Sequence, residues 1–381
     1  MINWKIPLFK MYFDNSDIKA VTKVIARGNY WAEGPEIKGF EEGLSNYIGT
    51  KYALTFNSGT SALHAVLLAY GVENAEVIVP SFTFISTANS VVLANGKPIF
   101  AEIEDDSYGL DPESVNEKIT KKTRAIIPVH YGGMPCKGIK AIKEIAKDNK
   151  LLLIEDAAES FGAAISGKKV GTFGDSAMLS FCQNKVIATG EGGAIVTDSK
   201  KIFQKLKLIR SHGRFESKKN YFASSDDSDY IQNGYNYRMT SMIAALGISQ
   251  LKKVKKIIKL RRNKAEYLNN KLSGLPELKT MCEEKNQFNV YQLYTLCLKN
   301  NKLREGLKEY LTKKGIMTKI YFSPVHLKTF YKKTFGTRKG DLPNTEKISQ
   351  EVITLPMHPC LTIKEMDYIC TNIRNYFDGR D

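Results

Sequence analysis

Seven short β-rich runs recur along the first two-thirds of the chain, most of them separated by stretches with helical spacing. This alternation restricts the fold more than any other feature. The runs are Tyr52–Phe56, Glu76–Val79, Pro98–Glu102, Arg124–Pro128, Leu151–Asp156, Ala177–Phe181 and Ala194–Thr197. Several are continuously apolar, as in Leu151-Leu152-Leu153-Ile154, which is how strands buried on both faces read. Helical segments lie between them, notably Ser61–Tyr70, Thr83–Ala94 and Ile139–Lys147. The pattern predicts an α/β chain with a mainly parallel seven-stranded sheet and helices on both faces.

After about residue 240 the pattern changes. A long helical segment from Thr240 to Ser273 is followed by a strand-like run (Val290–Leu298), a helix (Lys302–Lys314), a second strand (Met317–Phe322) and a last helix (Lys364–Phe377). A chain of 381 residues is long for one core. We therefore expect a large domain over residues 1–240, with an N-terminal arm, and a smaller α+β domain over residues 241–381, entered through the long helix.

Charge and cysteine content narrow the function. The net charge is +16, and eight Lys or Arg fall within Leu251–Lys264. There Leu251, Val254 and Ile258 keep helical spacing, so the charges read as the wet face of an amphipathic helix. No aromatics interleave and no nucleic-acid-binding motif is present, so a polyanionic small substrate uses this charge better than a nucleic acid does. No apolar run approaches the ~20 residues of a membrane span. The N-terminus lacks a signal-like stretch, and a cytoplasmic location is the simplest expectation. The six cysteines form no CxxC pair and share no ligand spacing with the five histidines, so no metal site is expected.

Three segments carry chemistry. Asn57-Ser58-Gly59-Thr60-Ser61 follows a strand and opens a helix; free N–H groups and hydroxyls there suit a phosphate, although a plain N-cap has the same look. Asp156 ends an apolar strand, where parallel sheets place their ligands. Lys185 stands just past the run Leu179-Ser180-Phe181, before Gly190-Glu191-Gly192-Gly193, whose glycines let the backbone pass close to a flat cofactor. A lysine is ordinarily solvated; one that attacks a carbonyl must be partly desolvated. A phosphate cradle, a carboxylate and an amine, in that order, are what pyridoxal phosphate requires for its phosphate, ring nitrogen and aldehyde.

These residues resemble the DegT/DnrJ/EryC1/StrS sugar aminotransferases, which have the type I, aspartate-aminotransferase fold of pyridoxal-phosphate enzymes. The resemblance runs from Ile6-Pro7 and Trp31-Ala32-Glu33-Gly34-Pro35-Glu36 through Pro80-Ser81-Phe82-Thr83-Phe84 and Glu155-Asp156-Ala157-Ala158. It ends at Gly234-Tyr235-Asn236-Tyr237-Arg238-Met239 and Pro356-Met357-His358-Pro359. It implies that Lys185 holds the cofactor as a Schiff base and shuttles the proton, and that Asp156 partners the ring nitrogen. Phe84, more than Phe82, matches the aromatic stacked on the ring. Gly59, Thr60 and Ser180 match phosphate ligands. Asn236 matches an asparagine serving the neighbouring subunit's phosphate, which implies a homodimer with shared active sites. Trp31, Arg238, Tyr321 and His326 are candidates for the substrate pocket. Glu159 departs from the common glutamine and stands as a cofactor contact. Lysine rather than histidine at position 185 favours transamination over dehydration.

The implied reaction moves an amino group, from glutamate as donor, to a keto-sugar linked to a nucleoside diphosphate. The Asn184-Lys185 and Gly190–Gly193 segments resemble the branch acting on GDP-linked 4-keto-6-deoxy sugars; the Trp31–Glu36 segment resembles members using UDP or dTDP sugars. A non-nucleotide keto substrate and a catalytically silent binding protein are the alternatives. His212 and His358 sit in segments that resemble the family's motifs, and His64 and His130 receive no role.

Overall fold

The computed structural model describes residues 4–214 and 229–379. Two helices precede the sheet, α1 (Asn15–Arg27) and α2 (Pro35–Ile48). Asp14 and Asp17 form a capping box at the start of α1, and Pro35 opens α2; each helix ends on a glycine in the left-handed region, Gly28 and Gly49. Next come β1 (Tyr52–Phe56), α3 (Gly59–Tyr70), β2 (Glu76–Pro80), α4 (Ser86–Leu93), β3 (Lys97–Ala101), α5 (Pro112–Glu117), β4 (Thr123–Ile126), α6 (Ile139–Asp148) and β5 (Leu152–Asp156). Two short strands, β6 (Ala164–Ile165) and β7 (Lys168–Lys169), lead to β8 (Ser176–Ser180), β9 (Gly193–Thr197) and α7 (Lys200–Arg210).

All seven β-rich runs are strands of one sheet, ordered β1-β9-β8-β5-β4-β2-β3. From β8 to β3 every neighbouring pair is parallel, and β9 runs antiparallel to β1 and β8. The mainly parallel α/β sheet expected from the sequence is therefore present. Every residue of β2, β8 and β9 is buried, as layers on both faces require. One layer is led by α3, whose Ala62, Leu63, Ala65, Val66 and Leu67 are fully buried. Because β9 reverses twice, β1, β5 and β8 point the same way. Their carboxyl ends, at Phe56, Asp156 and Ser180, share one edge of the sheet.

The 32-residue helix α8 (Ser241–Leu272) is capped by Thr240, where the sequence placed it. It is followed by β10 (Leu278–Thr280), β11 (Gln287–Phe288), β12 (Tyr294–Leu298), α9 (Asn301–Lys313), α10 (Thr329–Phe335), α11 (Pro343–Glu351), β13 (Val352–Leu355) and α12 (Ile363–Phe377). Strands β10, β12 and β13 form an antiparallel sheet. Leu268, Leu296, Leu307, Ile353 and Ile369 make the core beside it.

One expected strand is absent. Residues 317–322 make a single bridge, Lys319 to Thr354. Their remaining backbone groups are spread over other partners: Met317 N–H donates to the Ile6 carbonyl, and the Tyr131 hydroxyl donates to the Tyr321 carbonyl. The third strand is instead β13, an apolar run that follows α11 with no turn residue to mark it.

The basic stretch is helical, with its apolar residues inward, but not all its charges are wet. Lys253 pairs with Asp14 and Asp17. Arg261 is 3% exposed, and its Nη1 donates to the carbonyls of Tyr291 (3.1 Å), Gln292 (3.3 Å) and Met357 (3.1 Å). Burial pushes its guanidinium down to about 10, still charged at neutral pH. Among the described residues no helix is long and apolar enough to cross a membrane. Replacing Arg261 with Met strands three buried carbonyls, so R261M is expected to lose about 3 kcal/mol in urea unfolding; an unchanged midpoint would show that those contacts contribute nothing.

Candidate active site

The site forms where β1, β5 and β8 end. After β1 the chain turns directly into α3. Ser58 caps that helix, its hydroxyl accepting the Ser61 N–H at 3.0 Å, and Ser61 closes the reciprocal half of the capping box. The amides of Gly59 and Thr60 lie in the first turn and have no intrahelical acceptor. Gly59 presses on the end of β8 so closely that a Cβ there would stand 3.1 Å from Ser180 Cβ and 3.3 Å from Ser180 Oγ. Ser180 is therefore beside the helix N-terminus. The Gly193 backbone closes the same corner, where a Cβ would meet the Ser58 carbonyl at 2.5 Å.

At the end of β5 two consecutive carboxylates point to opposite faces, as alternation in a strand demands. Glu155 is fully buried and accepts hydrogen bonds from His130 Nε2 (3.0 Å) and from the amides of Gly171 (2.8 Å), Phe173 (2.7 Å) and Gly174 (2.8 Å). His130 Nδ1 accepts the Cys136 N–H, which leaves Nε2 as the donor to Glu155. Burial acts to raise the Glu155 carboxyl, but the His130 contact and the amides outweigh it and hold the group below the usual carboxylate range.

Asp156 is 3% exposed; it accepts the Thr87 hydroxyl at 2.8 Å and the Ala158 N–H at 3.1 Å. Burial pushes its carboxyl up, against those two bonds and the Lys185 charge. A cationic ring nitrogen beside it would bring that carboxyl back down. Thr83 in turn contacts Thr87, oxygen to oxygen at 2.8 Å.

Lys185 lies past β8 with its side chain 12% exposed, and its Nζ is 3.4 Å from Glu159 Oε1. The other oxygen of Glu159 accepts the Gly132 N–H at 2.9 Å. The structure thus brings Gly59, Thr60, Ser180, Asp156, Glu159 and Lys185 to one edge. Phe84 is 58% exposed, whereas Phe82 is fully buried against Tyr108 and Tyr131; Phe84 is the ring free to cover a ligand. Tyr321 is 9% exposed, and burial together with the Glu159 charge pushes its phenol up to about 12.

The other candidates have the following surroundings. His326 is fully buried, with Nδ1 2.7 Å from Ser81 Oγ and Nε2 3.2 Å from Glu346. Both ring nitrogens are thus engaged within the fold. Trp31 is exposed and donates through Nε1 to the Val24 carbonyl. Arg238 lies against Glu33 and Ser211. Asn236 is exposed, and its carbonyl accepts Asn57 Nδ2 at 3.4 Å. Two residues escaped the sequence reading. The Thr83–Thr87 spacing, one helical turn, was the available sign for Thr87; nothing local marked His130 as the partner of Glu155.

The family model described as the DegT/DnrJ/EryC1/StrS aminotransferase family matches residues 12–374. The chain belongs to that family. GDP-perosamine synthase of Vibrio cholerae is 36% identical over 98% of this chain and 99% of its own. Among solved structures, Helicobacter pylori PseC, an aminotransferase involved in the biosynthesis of pseudoaminic acid, superposes with a TM-score of 0.91 at 27% identity, over 98% of this chain and 99% of its own. DesV of S. venezuelae, solved in complex with a ketimine intermediate, gives 0.89 at 29%, over 99% of both chains. The chain is thus a type I, pyridoxal-phosphate-dependent aminotransferase of this sugar-aminotransferase family. The residues fit the cofactor: the tight Gly59–Ser180 corner at a helix N-terminus suits its phosphate, the buried Asp156 its ring nitrogen, and the largely buried Lys185 side chain its aldehyde.

The structure makes Glu155 a source of acid sensitivity. Its folded-state value lies below the unfolded ~4.3, so its contribution to stability is complete above pH ~4.3 and is lost as pH falls through the lower folded value. Glu155→Gln is expected to cost about 3 kcal/mol at pH 7 and to flatten the loss of stability below pH ~4.3. Urea midpoints of both proteins from pH 7 to 3 check this; parallel curves would contradict it.

Proposed function

We propose that this aminotransferase takes an amino group from glutamate and passes it to a keto-sugar carried on a nucleoside diphosphate, with a GDP-linked sugar the first to test. The observation that carries the reading is the Lys185–Glu159–Asp156 cluster within a chain alike end to end to GDP-perosamine synthase. The net charge of +16 favours a diphosphate-bearing substrate.

Pyridoxal phosphate supplies an aldehyde that accepts the amino group and a ring that stabilises the negative charge left when the Cα proton departs. The protein's residues do the rest. The Gly59 and Thr60 amides and the Ser180 hydroxyl would hold the phosphate. Asp156, kept in place by Thr87 and Ala158, would hold the ring nitrogen in its protonated form. Lys185 would bind the aldehyde carbon and, once displaced by the donor, carry the proton between substrate and cofactor. Glu159, fixed by Gly132, orients the lysine nitrogen. Tyr321, with its phenol pushed up to about 12, remains neutral and able to donate a hydrogen bond. Phe84 would cover the ring, and Trp31 and Arg238 are candidate sugar contacts.

In this reading residues 1–240 and 241–381 act as two domains joined by α8. Two copies pair so that Asn236 serves the neighbouring active site. Its exposure beside Tyr230, Ile231 and Tyr235, which are also exposed, supports an interface there.

Glutamate added to the purified protein is expected to abolish the visible absorbance of the lysine-bound cofactor, and a GDP-linked keto-sugar to restore it. The same sugar without its nucleotide should be at least ~100-fold poorer in kcat/KM, about 2.7 kcal/mol. Lys185→Ala should lose both the band and turnover. Equal use of the free sugar would sink the nucleotide assignment, and a band unmoved by glutamate would sink the donor.

A further inference from the structure

Residues 289–293, on the C-terminal side of α8, reach behind both members of the Lys185–Glu159 pair. On one side Leu293 N–H donates to the Gly132 carbonyl at 2.9 Å and Val290 N–H to the Gly133 carbonyl at 3.1 Å. Gly132 is the residue whose own N–H holds Glu159. On the other side Gln292 Nε2 donates to the carbonyl of Asn184, the residue before Lys185. One short segment therefore supports both partners through separate hydrogen bonds.

That segment has little freedom. Asn289 Oδ1 accepts the Tyr291 N–H at 2.7 Å, and Arg261 grips the carbonyls of Tyr291 and Gln292. Its contact with residues 132–133 leaves no room: at Gly133, where φ is +101°, a Cβ would stand 2.7 Å from the Gln292 nitrogen and 2.8 Å from the Tyr291 nitrogen. Movement at 292 is thus transmitted rather than absorbed.

Gln292 is 3% exposed, and its Oε1 has no hydrogen-bond partner among the described residues. The orientation of the amide is settled by chemistry, because the reverse would set its oxygen against the Asn184 carbonyl, acceptor against acceptor. A polar side chain buried with half its capacity unused costs stability. What it provides, among the described residues, is an N–H on the carbonyl next to Lys185.

We propose that Gln292 is a positioning residue for Lys185, setting the separation of Nζ from Glu159 and through it the charge balance at the reacting nitrogen. The proposal rests on Lys185 being the cofactor-bearing lysine. The tie acts on a short turn, since Lys185 N–H bonds back to the Cys182 carbonyl at 2.9 Å. The groups that set the field there are Glu159 and Asp156 beside the lysine, with Tyr131 and Tyr321 facing the Glu159 charge. At 3.4 Å a small retreat of Nζ weakens the attraction to Glu159. The protonated form of the nitrogen, once it carries the cofactor, then loses support from that carboxylate, which the pH dependence of the visible band reads.

The test uses the cofactor-loaded enzyme and Gln292→Met, which keeps the length and removes the donor. The pH midpoint of the visible band should fall by about half a unit, and kcat by about tenfold, with KM for the amino donor moving less than about twofold. Gln292→His, which keeps an N–H, should recover most of both. In an E159Q background, Q292M should leave the midpoint where E159Q puts it. If Q292M does not fold, Gln292→Asn, one methylene short, gives the same readout. A Q292M or Q292N enzyme with the wild-type midpoint and kcat overturns the proposal while leaving the role of Lys185 intact. A midpoint shift that persists undiminished in the E159Q background also overturns it. Absence of any lysine-bound band in the wild type would instead overturn the assignment of Lys185.

Discussion

Two carboxylates in a row at the end of one buried strand organise this enzyme. Glu155 faces the interior and is held by His130 and three amides of the 171–174 segment. That network fixes the end of β5 against its neighbours, so the next residue, Asp156, is presented at a constant height on the sheet edge. The first carboxylate is satisfied by the protein and bears on the fold. The second, among the described residues, accepts from Thr87 and Ala158 and sits buried at the sheet edge. Strand alternation alone separates the two roles, and a slip of one residue in β5 would exchange them.

Around that edge the protein arranges charge so that a cofactor completes it. Asp156 is pushed up by burial, which a cationic ring nitrogen would reverse. Lys185 and Glu159 face each other at 3.4 Å, with the glutamate anchored by Gly132. The helix N-terminus at Gly59 offers amides to an anion. The contacts that hold this pair come from three distant parts of the chain: the loop after β4, the loop after β8, and residues 289–293. That is why the C-terminal third matters to a site whose Asp156, Glu159 and Lys185 lie in the first half of the chain.

The sequence made the sheet legible because buried parallel strands leave long apolar runs, and all seven were present in them. The end of β1, Asp156 and Lys185 stood out for the same reason: parallel topology brings strand ends together. What the sequence hid was non-local. Met317–Phe322 reads as a strand, yet its backbone partners are Ile6, Tyr131 and Thr354, none adjacent in sequence. The helices α1 and α2 were not singled out, although Asp14 and Gly28 bound the first of them by familiar rules. His326 is bonded on both ring nitrogens, which sequence does not distinguish from a histidine that is free. Gln292 gave no signal, since its work is done on a backbone carbonyl 108 residues away.

The central claim is that Lys185 carries the cofactor, and chemical trapping tests it without reference to any substrate. Borohydride reduction of the protein loaded with pyridoxal phosphate fixes the cofactor to whichever lysine holds it, and peptide mass mapping reads the position. The account predicts a single phosphopyridoxyl group, on the peptide containing Lys185, and none in Lys185→Ala. A label on another lysine, or one that survives that substitution at full yield, would contradict it.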